Sequence, residues 1–376
     1  MSILLKAPEA FTFDDFILIP NYSTVPSRSI PDVSITVGQL GYKIPIISSP
    51  MNTVTEEDMA YVMMQLGGTG VLHRFMSIED AVKQSKQLLK YSSEFENADF
   101  WASTGIGEDA QGNSAQARLK ALYDVGVRKF CIDVANGHSA QYISFIKETR
   151  ETYPDIIIMG GNVCTYDGAL RLAQAGCNAI RVGIGPGSLC QTRVVTGHGV
   201  PQLSAIEDCA RIKSKSQPLH TTDGEFMGYV DKPPYADVMI IADGGIRSSG
   251  DIVKSLAIGA DMVMLGGLLA GTSETPGPIL SDGNGNMYKD YHGMASTKGR
   301  EGWYDRAKTS FVPEGTSTQT IYKGETSEIV TQLVNSVRVG MSYAGAFSIK
   351  ELREKAQWRR ITNAGHYEGT AHGQKR

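Results

Sequence analysis

Residues 238–270 read VMIIADGGIRSSGDIVKSLAIGADMVMLGGLLA. Two apolar, β-branched runs, 238–243 (VMIIAD) and 262–266 (MVMLG), flank one segment with helical spacing. Runs that are apolar at almost every position suit strands buried on both faces, as in a parallel sheet. The helical segment ends in Gly259, the usual left-handed stop, just before the second run. This is one strand–helix–strand unit, and each strand leaves through a Gly-Gly pair.

Working outward, the unit recurs. Earlier runs lie at 44–49 (IPIISS), 70–73 (GVLH), 100–105 (FWASTG), 129–133 (KFCID), 156–160 (IIIMG) and 179–183 (AIRVG). Helical spacing fills the gaps, for example in SAQARLKALYDVG (114–126) and TYDGALRLAQAG (165–176). Eight alternations predict an α/β fold of the (β/α)8 TIM-barrel type, residues 1–376 forming a single domain. A doubly wound open sheet is the alternative, but it seldom needs eight such units. Four stretches fall outside the repeat. Residues 1–40 are expected to cap the barrel, 214–236 form an insert before strand 7, and 281–325 a long mobile flap after strand 8. Residues 355–376 are a polar, Gly-rich tail, expected to be mobile unless they fold over the site.

Composition narrows the function. With 36 basic against 40 acidic side chains and a net charge of −4, the chain lacks the cation surplus of a nucleic-acid binder. Its 41 glycines among 376 residues, about 11%, exceed the usual roughly 7% and announce many tight turns. No window of about 18 apolar residues predicts a membrane span, and the N-terminal residues lack a signal-peptide core. A soluble, cytoplasmic protein is expected. The five cysteines (Cys131, Cys164, Cys177, Cys190, Cys209) have no C-x-x-C spacing, which argues against zinc ribbons and a disulfide framework. No paired histidines, Ser nucleophile elbow or Rossmann G-x-G-x-x-G are visible.

In a barrel the chemistry sits at the C-terminal strand ends. Strands 7 and 8 end in Asp243-Gly244-Gly245 and Gly266-Gly267, where bare backbone N–H groups suit a phosphate. The loop after strand 6, GIGPGSLCQTRVVTGHG (183–199), carries Cys190 at the same face. A thiolate there would attack an electrophilic carbon, with Thr192 supplying a hydroxyl and Arg193 lowering the thiol pKa. A buried structural cysteine is the competing reading. Carbonyls of the turn at 185–190 would also suit a monovalent cation.

At this loop the chain resembles the IMP dehydrogenase/GMP reductase family. The likeness runs through GIGPGSLCQTRVVTGHGVPQ, SSPMNTVTEEDMA, VLHRFMSIE, the 240–272 stretch and YHGM, from about residue 11 to about 352. The resemblance implies that Cys190 attacks C2 of a purine nucleoside monophosphate, with hydride passing to or from NAD or NADP. Asp243 would bind the ribose, and Ser188, Gly245, Gly266, Gly267 and Tyr291 the 5′-phosphate. Ser49, Met51, Gly293, Met294 and Glu314 would complete the substrate pocket around the base. Asp133, Asn162 and Gly183 would line the nicotinamide side. Carbonyls of Gly185, Gly187 and Cys190 would hold K+, and the barrels would form a homotetramer.

The family's two branches resolve the covalent intermediate differently. The dehydrogenase pattern has an Arg-Tyr pair on the flap, and here Arg306 is followed by Ala307. The reductase pattern resembles G-M-S-S-E, and here residues 293–297 read GMAST, with Thr297 in place of the glutamate. TVTEEDMA and VPEG resemble the dehydrogenase, DVANGHS the reductase. No CBS insert fits between strands 2 and 3, and Asn52 stands where both branches show Asp. Arg306 with Thr192 can still act on water, whereas a missing carboxylate deprives the reductase of its proton partner. The dehydrogenase is the reading, the reductase its alternative. A purine-nucleotide-binding protein without turnover is a third, opposed by the intact Cys190–Thr192 pair.

Overall fold

The computed structural model describes residues 7–94, 98–109, 111–214, 234–301 and 312–369, and the backbone of two short strands, Pro218–His220 and Phe226–Tyr229. Eight parallel strands close into a barrel. They are β1 (Ile46–Ser48), β2 (Thr69–Leu72), β3 (Phe100–Thr104), β4 (Lys129–Asp133), β5 (Ile157–Val163), β6 (Ala179–Val182), β7 (Met239–Asp243) and β8 (Met262–Leu265). β8 pairs with β1, so no edge is left open. These are the eight runs read from the sequence, with ends shifted by at most three residues.

The strand-to-helix turns explain why the repeat folds. Ser77, Ser114, Ser139, Thr165 and Ser248 each stand just before a helix, and each side-chain oxygen accepts a backbone N–H of its first turn. Replacing such a cap by Ala costs about 1 kcal/mol. Alternate strand residues then separate two apolar layers. Ile47, Val71, Trp101, Cys131, Met159, Met239, Ile241, Met262 and Met264 fill the barrel, while Ile46, Leu72, Phe130, Ile158 and Val263 pack outward against the helices.

The N-terminal end of the barrel is shut by a hairpin, Ile35–Val37 paired with Leu40–Tyr42. Its Val37, Leu40 and Tyr42 join the interior layer, and Trp101 Nε1 donates to Tyr42 Oη at 3.2 Å. Gly38, in the left-handed region, fits against the Asp237 carbonyl, where a Cβ would come within 2.9 Å.

Three polar stretches outside the repeat contain secondary structure among their described residues. Residues 280–321 contain a three-stranded antiparallel sheet of Leu280–Ser281, Met287–His292 and Ser317–Ile321. Lys289 is buried in this sheet, and its ammonium donates to the carbonyls of Thr272, Ser273 and Thr275. In the insert, Pro218–His220 pairs with Phe226–Tyr229. In the tail, Trp358–Arg360 pairs with Phe16–Leu18, where Phe16 packs edge-on against Trp358, and helix Asn363–Glu368 follows.

Candidate active site

The C-terminal strand ends open into one cleft of about 830 Å³. Every site residue expected from the sequence and described by the structure borders it. Arg306 and Ala307 lie outside the described residues.

Cys190 sits on a loop whose shape is set by close backbone packing. Gly183 leaves β6 at φ +148°, where a Cβ would meet the Asp243 carbonyl oxygen at 2.1 Å. Gly187 and Cys190 close one turn, the Cys190 N–H donating to the Gly187 carbonyl at 3.0 Å, with Gly185 two residues before it. The loop is then stitched to residues 314–316. Gln191 N donates to the Glu314 carbonyl at 2.7 Å, and Thr316 N to the Leu189 carbonyl at 2.9 Å. This holds Cys190 exposed, with its Sγ–H donating to Thr192 Oγ1 at 3.2 Å. Thr192 Oγ1 in turn donates to Glu314 Oε2 at 2.9 Å. Glu314, which the sequence reading put beside the base, borders the cleft, and its carboxylate ends a thiol–hydroxyl–carboxylate chain. Arg193 turns elsewhere, with Nη2 donating to the Val200 carbonyl at 2.5 Å. The buried cysteines differ: burial pushes the Cys131 thiol up to about 11 and Cys177 up to about 12.

Opposite the thiol, the two Gly-Gly turns converge. Gly244 and Gly245 have φ of +88° and +77°. A Cβ on Gly266 would press on Met51 Sδ at 3.0 Å and Tyr291 Oη at 3.2 Å, and one on Gly267 would reach Ser188 Oγ at 3.3 Å. The Ser188 and Tyr291 hydroxyls lie 3.3 Å apart, so bare backbone and two hydroxyls face one corner, as an anion needs. Burial raises the Tyr291 pKa, so its hydroxyl stays a donor. Ser49 anchors the neighbouring turn, its carbonyl accepting from Thr55 Oγ1 at 2.6 Å. Gly293 N donates to the Thr316 carbonyl at 3.0 Å, which brings Met294 to the cleft.

Four charges run across the cleft wall. Arg181 Nη1 donates to Asp133 Oδ1 at 2.6 Å and Nη2 to Asp243 Oδ2 at 2.7 Å, while Arg74 Nε donates to Asp133 Oδ2 at 3.0 Å. Burial opposes ionising Asp133, but the charges of Arg181 and Arg74 outweigh it and hold its carboxyl below the usual range. Asn162 Nδ2 bridges the Gly183 carbonyl (2.9 Å) and Asp243 Oδ2 (2.8 Å), leaving its buried Oδ1 without a partner among the described residues. Sequence reasoning missed Arg74, Arg181 and Gln202, all of which border the cleft. One signal was available for Arg181: a full charge inside the apolar strand AIRVG needs buried partners. Two departures noted in the sequence also find their places. Thr297 is exposed and does not border the cleft, and Asn52 Nδ2 donates to the Gly299 carbonyl at 3.3 Å.

Comparison with known proteins agrees with this geometry. The family model for the IMP dehydrogenase/GMP reductase domain matches residues 10–372. An inosine-5′-monophosphate dehydrogenase from Cryptosporidium parvum is 36% identical, covering 97% of this chain and 95% of its own. One from Staphylococcus epidermidis is 38% identical over 92% of this chain and 68% of its own. Among solved structures, a GMP reductase variant from Trypanosoma brucei in complex with guanosine 5′-monophosphate superposes with a TM-score of 0.85 at 26% identity, over the full length of both chains. With a matching domain model along nearly its whole length and relatives at 36% and 38% identity, the chain belongs to the IMP dehydrogenase/GMP reductase family.

Proposed function

We propose that the protein oxidises a purine nucleoside 5′-monophosphate at C2 of the base, converting IMP, NAD(P)+ and water to XMP, NAD(P)H and a proton. The observation that carries this reading is the Cys190–Thr192–Glu314 chain. It sets a carboxylate one hydroxyl away from the thiol, where a proton must first leave sulfur and later leave water. The Cys190 thiol gives its proton to Glu314 through Thr192, and its sulfur adds to C2. Loss of hydride from C2 leaves a thioimidate on Cys190. Glu314 releases that first proton to solvent. Water then adds at C2, and its proton passes along the same chain to Glu314. As the C–S bond breaks to release XMP, the proton returns through Thr192 to restore the thiol. Arg306 is the further candidate for activating that water.

Ser188, Tyr291 and the turns at Gly245, Gly266 and Gly267 take the phosphate, and Asp243 the ribose hydroxyls. Ser49, Met51, Gly293 and Met294 border the base. A bound nicotinamide dinucleotide supplies the hydride acceptor. Asp133, Asn162 and Gly183 line its side, and the unpaired Asn162 Oδ1 fits a ligand donor there. The carbonyls of Gly185, Gly187 and Cys190 would hold K+. The Gly187 oxygen accepts one N–H and keeps a second lone pair for a cation. A homotetramer is the proposed assembly.

The reductase is the second reading, favoured by the solved GMP reductase that this chain resembles. Against it, Thr297 is neither a carboxylate nor at the cleft. The test is absorbance at 340 nm with K+ present, IMP plus NAD(P)+ run beside GMP plus NADPH. A rise with IMP that Cys190→Ala abolishes is expected. A fall with GMP would replace the dehydrogenase by the reductase, and nucleotide binding without either signal would leave a binding protein.

A further inference from the structure

The loop that carries Cys190 leaves the barrel at Val182 and re-enters it at Gln202, the first residue of helix Gln202–Ala210. Gln202 is 1% exposed, and its Nε2 donates to the Val182 carbonyl at 2.7 Å and the Asp243 carbonyl at 3.2 Å. One amide thus ties the loop's exit to its entry, and both to the end of β7. Packing leaves little slack, since a Cβ on Gly183 would lie 2.1 Å from the Asp243 oxygen and 3.1 Å from Gln202 Nε2. From the cleft side, Asn162 Nδ2 spans the same two strand ends through the Gly183 carbonyl and the Asp243 carboxylate. Both carboxamides spend their NH2 groups on this junction, and the buried Gln202 Oε1 has no partner among the described residues. An apolar side chain of similar size would fill the space but could not make the two bonds by which Gln202 joins Val182 to Asp243.

We propose that Gln202 is a positioning residue that sets the Cys190 loop against Asp243, so that sulfur and ribose contact meet one nucleotide together. This rests on the proposed nucleotide substrate. Where the closing of a loop by one side chain fixes a nucleophile, small displacements are felt strongly in reactivity.

The test is Gln202→Met, which keeps the volume and removes both donors, with Cys190→Ala as the blank. Three quantities are read: thermal midpoint, the rate at which iodoacetamide alkylates Cys190, and the IMP concentration that half-protects it. The expected result is a folded protein whose half-protecting IMP concentration rises about ten-fold, the effect of losing two neutral hydrogen bonds, with an altered alkylation rate. Wild-type alkylation rate and wild-type protection in the variant would overturn the proposal. If IMP fails to protect the wild-type protein, the substrate reading falls instead, and the alkylation rate alone decides on Gln202. Should Gln202→Met not fold, Gln202→Glu serves. Its acid regains one donor when protonated, so protection recovers as pH falls, whereas a pure packing role gives no such pH dependence.

Discussion

The two ends of the barrel are built from the same eight strands and do opposite things. At the closed end, Tyr42, Trp101, Asp99 and Lys129 satisfy one another under the hairpin. At the open end, Asn162 and Gln202 keep buried oxygens unpaired, and Cys190 stays exposed. Strand β4 shows the change within a few residues. Cys131 is an interior side chain whose thiol burial pushes up to about 11, and two residues on Asp133 joins the charged wall of the cleft. At the closed end the polar groups satisfy one another, whereas at the open end Asn162 and Gln202 leave oxygens without a partner among the described residues.

Several substitutions would break or sharpen this contrast. The largest effect is expected at the thiol: Cys190→Ala should lower turnover by at least about three orders of magnitude while leaving the melting temperature nearly unchanged. Met239→Ala in the closed interior should do the reverse, costing about 2–5 kcal/mol in chemical denaturation with turnover per folded molecule preserved. If Met239→Ala were the variant to lose turnover, the division between the ends would fail.

Arg181 belongs to both worlds, being a buried strand residue that serves the open end. Arg181→Met leaves Asp133 with Arg74 alone and Asp243 with the Asn162 amide, and should cost about 1–3 kcal/mol, measured by urea unfolding. A smaller effect is expected from the relay. Glu314→Gln and Thr192→Val should each lower kcat by roughly a hundred-fold, and the double variant by little more than either, because they interrupt one proton path. Strictly multiplicative losses would show that they act separately.

The smallest effect concerns His73, buried beside Glu56 with Nε2 and Oε1 3.0 Å apart. Burial, only partly offset by Glu56, lowers its pKa below the ordinary 6.5. In that window the unfolded chain binds the extra proton, so stability is full above about pH 6.5 and declines as pH falls towards the folded value. The melting temperature should drop by a few degrees between pH 7.5 and 5.5, and His73→Gln should flatten that slope. An equal slope in the variant would assign the effect to other groups.

The eight strand–helix units, the Gly-Gly turns and the thiol loop are legible in the residues alone. Each rests on local signals, namely apolar runs, Ser and Thr caps, and glycines where no Cβ fits. Cys190 stands out by its residue type and its loop, whereas Ser188 and Tyr291 become candidates only through the family resemblance. Only the tertiary structure decided which groups meet. Arg181 joins Asp133 and Asp243 across 48 and 62 residues, and Glu314 reaches Thr192 across 122. In the polar stretch after β8, Lys289 likewise meets carbonyls 17, 16 and 14 residues away, partners that no local pattern shows. A periodic pattern reports a residue's own surroundings, whereas an ion pair, a proton path or a loop clamp exists only once the barrel closes and brings strand ends side by side.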